Sequence, residues 1–316
     1  MAGILVFAEN RDGTLELLSA GRQIAEKLGG KVAAFAADPG SAKDYVRYGA
    51  DEVLVLPPLA SDQPLEAYVP VLYEAAKEMA PDVFLIGATP RGKEIAARLA
   101  VRLNVGLCSG CTEFEIGANT LKMDRILYGG AAIQTVVCTA KPQMATVPPR
   151  SFEAASPEDG RQGEIKELKT VPQSPVKVLS RTTRERESVD ITEAKVVVCV
   201  GRGVEKPEDI ALVCDLAKAV GGEVGCSRPI AEELHWLPEE VYLGISGKKV
   251  KPDLYIGVGV SGQIQHVSGI RDSKVIFAVN RDENAPIFEA ADYGIVGDLY
   301  QVVPRLIEEL KAALKA

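Results

Sequence analysis

The chain has 316 residues, which bounds it at about two domains, and its 47% apolar and 25% charged composition is that of a folded protein with substantial cores. A formal charge of −8 weighs against nucleic acid or an anionic membrane surface as the main partner. No apolar run reaches the length of a membrane span, and Glu9 and Arg11 interrupt the first apolar stretch, so a cytoplasmic or matrix-like location is expected, and of these a prokaryotic cytoplasm is the one adopted.

Residues 3–8 form a continuous apolar run bounded by a polar turn, the pattern of a buried strand. Residues 15–28 carry apolar side chains at helical spacing (Leu17, Leu18, Ile24, Ala25, Leu28), and Gly29-Gly30 stops that helix. Strands are predicted at 31–37, 52–56 and 83–87, alternating with helices at 42–48, 64–79 and 92–103. Such alternation argues for a parallel sheet covered by helices on both faces. From Cys111 to Thr146 the pattern changes to short strands at 112–116, 121–127, 133–139 and 143–147, read as an antiparallel extension that closes the first domain. Cys108-Ser-Gly-Cys111 has redox or zinc spacing, but no second such pair exists and neither histidine is near, so bystander thiols are the better reading. Gly87 to Lys93 looks like a phosphate loop, yet Glu94 stands where Ser or Thr is required; Gly92-Lys93 is read instead as a helix start.

Residues 151–186 are rich in Pro, Glu, Lys and Arg, with strands expected at 163–168 and 176–179. Ser180 to Ser188 reads as a charged, exposed connector that lets the second domain reorient on the first, and the boundary is placed at Ser188. The domains are therefore 1–188 and 189–316. In the second, strands are predicted at 194–200, 224–226, 254–258 and 274–279, with helices from Pro207 to Val220, at 230–237 and at 299–314, the last kinked at Pro304. Gly257, Gly259 and Gly262 satisfy G-x-G-x-x-G, with Asp282 some twenty residues on. A helix starting at Ser261 would aim its N-terminal amides at an electron-rich group. Arg202, Ser227, Arg228, Ser261, Asn280 and Asp298 all fall at strand ends, where ligands bind in parallel sheets.

Five segments go further: Gly201-Arg-Gly203, Gly225-Cys-Ser-Arg228, Gly244-Ile-Ser-Gly-Lys248, PDLYIGVGVSGQIQH from Pro252 to His266, and DENAPIFEAADYGIVGDL from Asp282 to Leu299. Together they resemble the alpha subunit of electron transfer flavoprotein, and the likeness runs the length of the chain. The resemblance implies an α/β protein of two domains: an N-terminal nucleotide-hydrolase-like parallel domain with an antiparallel extension, which meets the partner subunit, and a C-terminal Rossmann-like domain that binds FAD. It implies a heterodimer with a beta subunit, taking electrons from flavoprotein dehydrogenases such as acyl-CoA dehydrogenases, as in fatty acid beta-oxidation, and passing them to a quinone oxidoreductase or another acceptor. The family also includes an electron-bifurcating variant that oxidises NADH, with its second flavin mainly in the beta subunit.

Position by position, the resemblance places Arg202 at the adenosine–pyrophosphate end, and Ser227 and Arg228 at the flavin. It runs Leu243, Gly244, Ile245 and Ser246 along the ring edge, with the Ser246 hydroxyl at N5. Ser261, Gly262, Gln263, Ile264, Gln265 and His266 line the ribityl and pyrimidine side, His266 near the C2 carbonyl, and Asn280, Asp298 and Leu299 complete the adenine and ribose contacts. Two positions depart from the pattern: Ser246 where threonine is common, and Gln263 where alanine is common. Arg228 keeps its charge at neutral pH whereas an ordinary histidine titrates there, so their effects on a reduced flavin are expected to separate with pH. Two other classes compete. An NAD-dependent Rossmann oxidoreductase would rest on the glycine motif, but no catalytic acid–base pair accompanies it. A cofactor-free interaction subunit would be expected to lack Arg202, Arg228 or His266, and all three are present.

Overall fold

A computed structural model describes residues 3–117, 120–182 and 190–313. The chain divides into two compact units, residues 1–183 and 184–316. The expected boundary at Ser188 and most of the connector before it lie outside the described residues.

The first unit alternates β1 (Gly3–Phe7), α1 (Arg11–Leu28), β2 (Lys31–Ala36), α2 (Pro39–Arg47), β3 (Glu52–Val55), α3 (Val69–Met79), β4 (Val83–Gly87) and α4 (Pro90–Leu103). There follow β5 (Leu107–Ser109), β6 (Cys111–Ile116), β7 (Leu121–Leu127), β8 (Ala132–Val137), β9 (Gln143–Val147) and β10 (Glu164–Glu167). Seven strands form one parallel sheet in the order β10-β3-β2-β1-β4-β9-β5, and β6-β7-β8 form a separate antiparallel sheet. The apolar runs of β1 and β4 are buried on both faces, as a helix-covered parallel sheet requires. α1 turns Leu17, Leu18, Ile24 and Ala25 into that core and ends at Gly29, whose left-handed backbone lets its N–H donate to the Ala25 carbonyl at 2.7 Å.

Three expectations for this unit are corrected. Residues 143–147 do not belong to the antiparallel extension: β9 lies between β4 and β5 in the parallel sheet, all five residues buried. A strand buried on both faces lacks the alternation that would distinguish its sheet. α4 begins at Pro90, not Gly92, because the Thr89 hydroxyl accepts the Gly92 N–H at 2.9 Å and proline fits the first helical position. Residues 176–179 form no strand, whereas the exposed β10 is held on the sheet edge by Lys166–Glu52 (2.8 Å) and, ahead of it, Arg161–Asp51 (3.0 Å). Cys108 and Cys111 are buried free thiols.

The second unit contains β11 (Val196–Val200), α5 (Ile210–Ala219), β12 (Glu223–Ser227), β13 (Tyr242–Leu243), β14 (Leu254–Val258), α6 (Ile264–Val267), β15 (Val275–Asn280), α7 (Ile287–Ala290), β16 (Tyr293–Val296) and α8 (Leu299–Ala313). Its six strands are all parallel, in the order β13-β12-β11-β14-β15-β16. The order reverses direction at β11, so the crevice between the turns after β11 and β14 is the topological switch point of a doubly wound sheet. The predicted helix at 230–237 is only a π-helical turn, Pro229–Glu233, closed by the Leu234 N–H donating to the Pro229 carbonyl at 3.0 Å. α8 carries Pro304 inside it, and Leu314 lies outside the described residues.

Candidate functional site at the strand ends of the second unit

β11 and β14 end against each other. The Gly201 N–H donates to the Val258 carbonyl, and the Gly203 N–H to the Gly259 carbonyl, both at 2.9 Å. A Cβ on Gly201 would stand 2.1 Å from the Gly259 oxygen, so the two turns meet as closely as backbone allows. The G-x-G-x-x-G match has other causes than phosphate binding. Gly259 packs on Gly203, Gly262 on the backbone of Ile287, and Gly257 leaves room for the Tyr255 hydroxyl. The helix expected from Ser261 is also shorter than read: α6 has four residues and starts at Ile264, too few peptides to sum into a macrodipole.

Around this crevice most of the expected residues converge. β13 pairs with the end of β12, Leu243 opposite Ser227, which brings the 243–246 loop beside Ser227. The Ile245 N–H donates to the Gln265 carbonyl at 2.9 Å and joins that loop to the 261–266 turn. Gly244 has φ of 146°, and a Cβ there would meet the same carbonyl at 2.9 Å. Leu243 and Gly262 are buried, while Ile245, Ser246, Ser261, Gln263, Ile264 and Gln265 are exposed. The Ser246 carbonyl accepts the Tyr242 hydroxyl at 2.8 Å, leaving the Ser246 side chain outside that bond.

The charged residues are less free than the sequence implied. Arg228 is exposed, and its Nε donates to Glu232 at 2.5 Å, one turn along. That hydrogen bond, then the charge of Glu232, raises the Arg228 pKa, and Glu232 is correspondingly lowered by Arg228. Arg202 is exposed, with Nη1 3.8 Å from Glu233. Asn280 uses both ends of its amide within the fold, donating to the Val260 carbonyl at 2.8 Å and accepting from the Asp282 N–H at 3.0 Å. Asp298 accepts the Tyr300 N–H at 3.0 Å as the cap of α8, with Leu299 buried behind it.

His266 is 8% exposed, and its Nε2 lies 2.8 Å from the Tyr255 hydroxyl and 3.9 Å from the Cys199 sulfur. Burial pushes its pKa down to about 4; the Leu243 backbone pulls weakly the other way without completing a hydrogen bond to Nδ1. The expectation of a histidine that titrates near neutrality is thereby corrected: at pH 7 it is uncharged. Sequence reading missed Tyr255, Cys199 and Glu232. Tyr255 and Cys199 sit inside apolar strands and read as core, and Glu232 declares itself only through its spacing to Arg228.

Two buried side-chain atoms of this unit have no hydrogen-bond partner among the described residues: Ser227 Oγ and His266 Nδ1. Buried polar groups are nearly always paired, so each of these two atoms calls for a partner that the described residues do not supply. Both residues are among those the resemblance assigned to the flavin. The family model described as electron transfer flavoprotein domain matches residues 4–172, and the one described as electron transfer flavoprotein FAD-binding domain matches residues 190–271, which include both orphan atoms. The chain belongs to the electron transfer flavoprotein alpha-subunit family. A Protein FixB from Clostridium saccharobutylicum is 40% identical, covering 99% of this chain and 98% of its own length. The electron transfer flavoprotein subunit alpha of Thermoanaerobacterium thermosaccharolyticum is 39% identical, with 98% and 97% covered. A Protein FixB from an Escherichia coli O139:H28 strain is 36% identical over 97% of both chains. The second unit thus carries the FAD-binding domain of an electron transfer flavoprotein, and the orphan donor–acceptor pair fits a cofactor rich in oxygen and nitrogen acceptors. Among the described residues no cluster of His, Cys, Asp or Glu could hold a metal, and no helix is long and apolar enough to cross a membrane.

Proposed function

We propose that this chain is the FAD-holding half of a heterodimeric electron carrier, paired with a beta subunit, that takes electrons from flavoprotein dehydrogenases and delivers them to a quinone oxidoreductase or a similar acceptor. FAD, when bound, supplies the one- and two-electron chemistry. The chain's residues bind it, orient it and set the charge around it. Ser227 and His266 would give their unpaired polar atoms to the flavin, and Arg228 a fixed positive charge beside it. The exposed 243–246 and 261–265 segments would flank the ring and ribityl chain. Arg202 would meet the pyrophosphate end, with Asn280, Asp298 and Leu299 toward adenine. The observation that carries the reading is the orphan pair Ser227 Oγ and His266 Nδ1 within the matched FAD-binding region. Pairing with another subunit is supported by the antiparallel sheet of the first unit, where Tyr128 is 81% and Ile133 69% exposed, beside Ile126 and Val137. An absorption spectrum and flavin count of the co-expressed heterodimer test the reading. One FAD in the second unit and reduction by a flavoprotein dehydrogenase are expected; a flavin-free complex that binds NAD would overturn it.

A further inference from the structure

The protonation of His266 is written in its surroundings. Nε2 faces two groups, the Tyr255 hydroxyl at 2.8 Å and the Cys199 thiol at 3.9 Å. Tyr255 is fully buried, and among the described residues its hydroxyl has only His266 Nε2 and the Cys199 sulfur within reach. Both facing groups hold their hydrogens at neutral pH, because burial raises the pKa of each. The thiol has the Val200 carbonyl as an acceptor. If Nε2 carried the hydrogen it would donate to the phenolic oxygen, and the phenolic O–H would be left with the Cys199 sulfur, a weak acceptor. With Nε2 bare, the phenol donates to nitrogen, a stronger acceptor than sulfur, and the thiol to the Val200 carbonyl. The single proton of the imidazole then sits on Nδ1, the orphan atom.

We propose that Tyr255 is a positioning residue that locks His266 in the Nδ1–H tautomer, so that the histidine meets the cofactor as a hydrogen-bond donor and not as an acceptor or a cation. Gly257 belongs to the same device: a Cβ there would come 3.2 Å from the Tyr255 hydroxyl, so the glycine keeps that oxygen in line with Nε2. The consequence is directional. A donor fixed by a buried phenol strengthens as electron density grows on a ligand oxygen, and it needs no proton from solvent to do so. The proposal rests on the FAD reading above, but tautomer and flavin are read separately.

Nitrogen-15 spectra of histidine-labelled heterodimer, with His266→Gln as the assignment control, test it. His266 is expected with Nδ1 protonated and Nε2 bare in the FAD-loaded protein. In Tyr255→Phe the ratio of the two tautomers should fall about tenfold, the factor set by one hydrogen bond of ordinary net strength, and the flavin's reduction potential should drop while FAD stays bound. Should the phenylalanine variant fail to fold, 3-fluorotyrosine keeps the ring and makes the hydroxyl a stronger donor, so it should raise the ratio. A wild-type His266 protonated on Nε2, or a ratio unmoved by either replacement, overturns the proposal even if FAD is bound. A flavin-free heterodimer with the Nδ1–H tautomer instead sinks the FAD reading and leaves this one standing.

Discussion

Both units are doubly wound parallel sheets, yet their strand-to-helix turns are finished differently. After β1, β2 and β4 the first unit closes its own helix starts: Asn10 accepts the Gly13 N–H, Asp38 those of Gly40 and Ser41, and Thr89 that of Gly92. After β11, β12 and β14 the second unit has no side-chain cap on the 3₁₀ turn Pro207–Asp209, the turn Pro229–Glu233 or α6. Buried polar atoms of Ser227 and His266 remain unpaired on that edge as well. Two doubly wound sheets therefore differ at these three turns, capped in the first unit and uncapped in the second, although Asp298 caps α8 and the 3₁₀ turn Leu65–Tyr68 after β3 has no side-chain cap. Fold class alone does not decide which edge takes a cofactor.

The open edge should cost stability in acid. His266 has a folded pKa lowered to about 4 from 6.5, so the unfolded chain takes up the proton first. Stability is intact above about pH 6.5, falls as pH drops toward 4, and the loss reaches about 3 kcal/mol. Thermal midpoints of the FAD-free heterodimer should decline across that window in wild type and less in His266→Gln; parallel curves would break the comparison. Closing the question from the other side, Thr89→Ala should cost the first unit about 1 kcal/mol through its lost cap while leaving the flavin spectrum unchanged. A changed spectrum would mean that the first unit's turns also serve the cofactor. The smallest effect is expected at Arg228, because it is exposed and already paired with Glu232. Arg228→Ala should lower the flavin potential, Glu232→Gln should raise it by freeing the guanidinium, and the double variant should resemble Arg228→Ala. Potentials independent of residue 232 would show that the ion pair does not reach the flavin.

Much of this was legible in the sequence, for physical reasons. Buried parallel strands such as β1, β4 and β11 are continuous apolar runs, and helices such as α1 show one apolar face. The motif segments around Ser227, Ser246 and His266 could be read together as candidates, and the structure brings them side by side. What sequence could not place was pairing. β9 shares the composition of an antiparallel strand, and only its two parallel neighbours reveal its sheet. The charge state of His266 depends on burial, and the roles of Tyr255 and Glu232 depend on partners eleven and four residues away, at the other ends of hydrogen bonds. The amide of Asn280 reads as a ligand group, yet both its ends are spent on Val260 and Asp282.

Hydrogen–deuterium exchange on the heterodimer with and without FAD compares the two edges in one measurement. FAD should slow exchange at the second unit's turns, residues 201–203, 226–229, 243–246 and 260–266, and leave the capped turns at 9–13, 38–41 and 88–92 unchanged. Protection that appears at the first unit's turns, with the second unit's edge unaffected, would contradict the account.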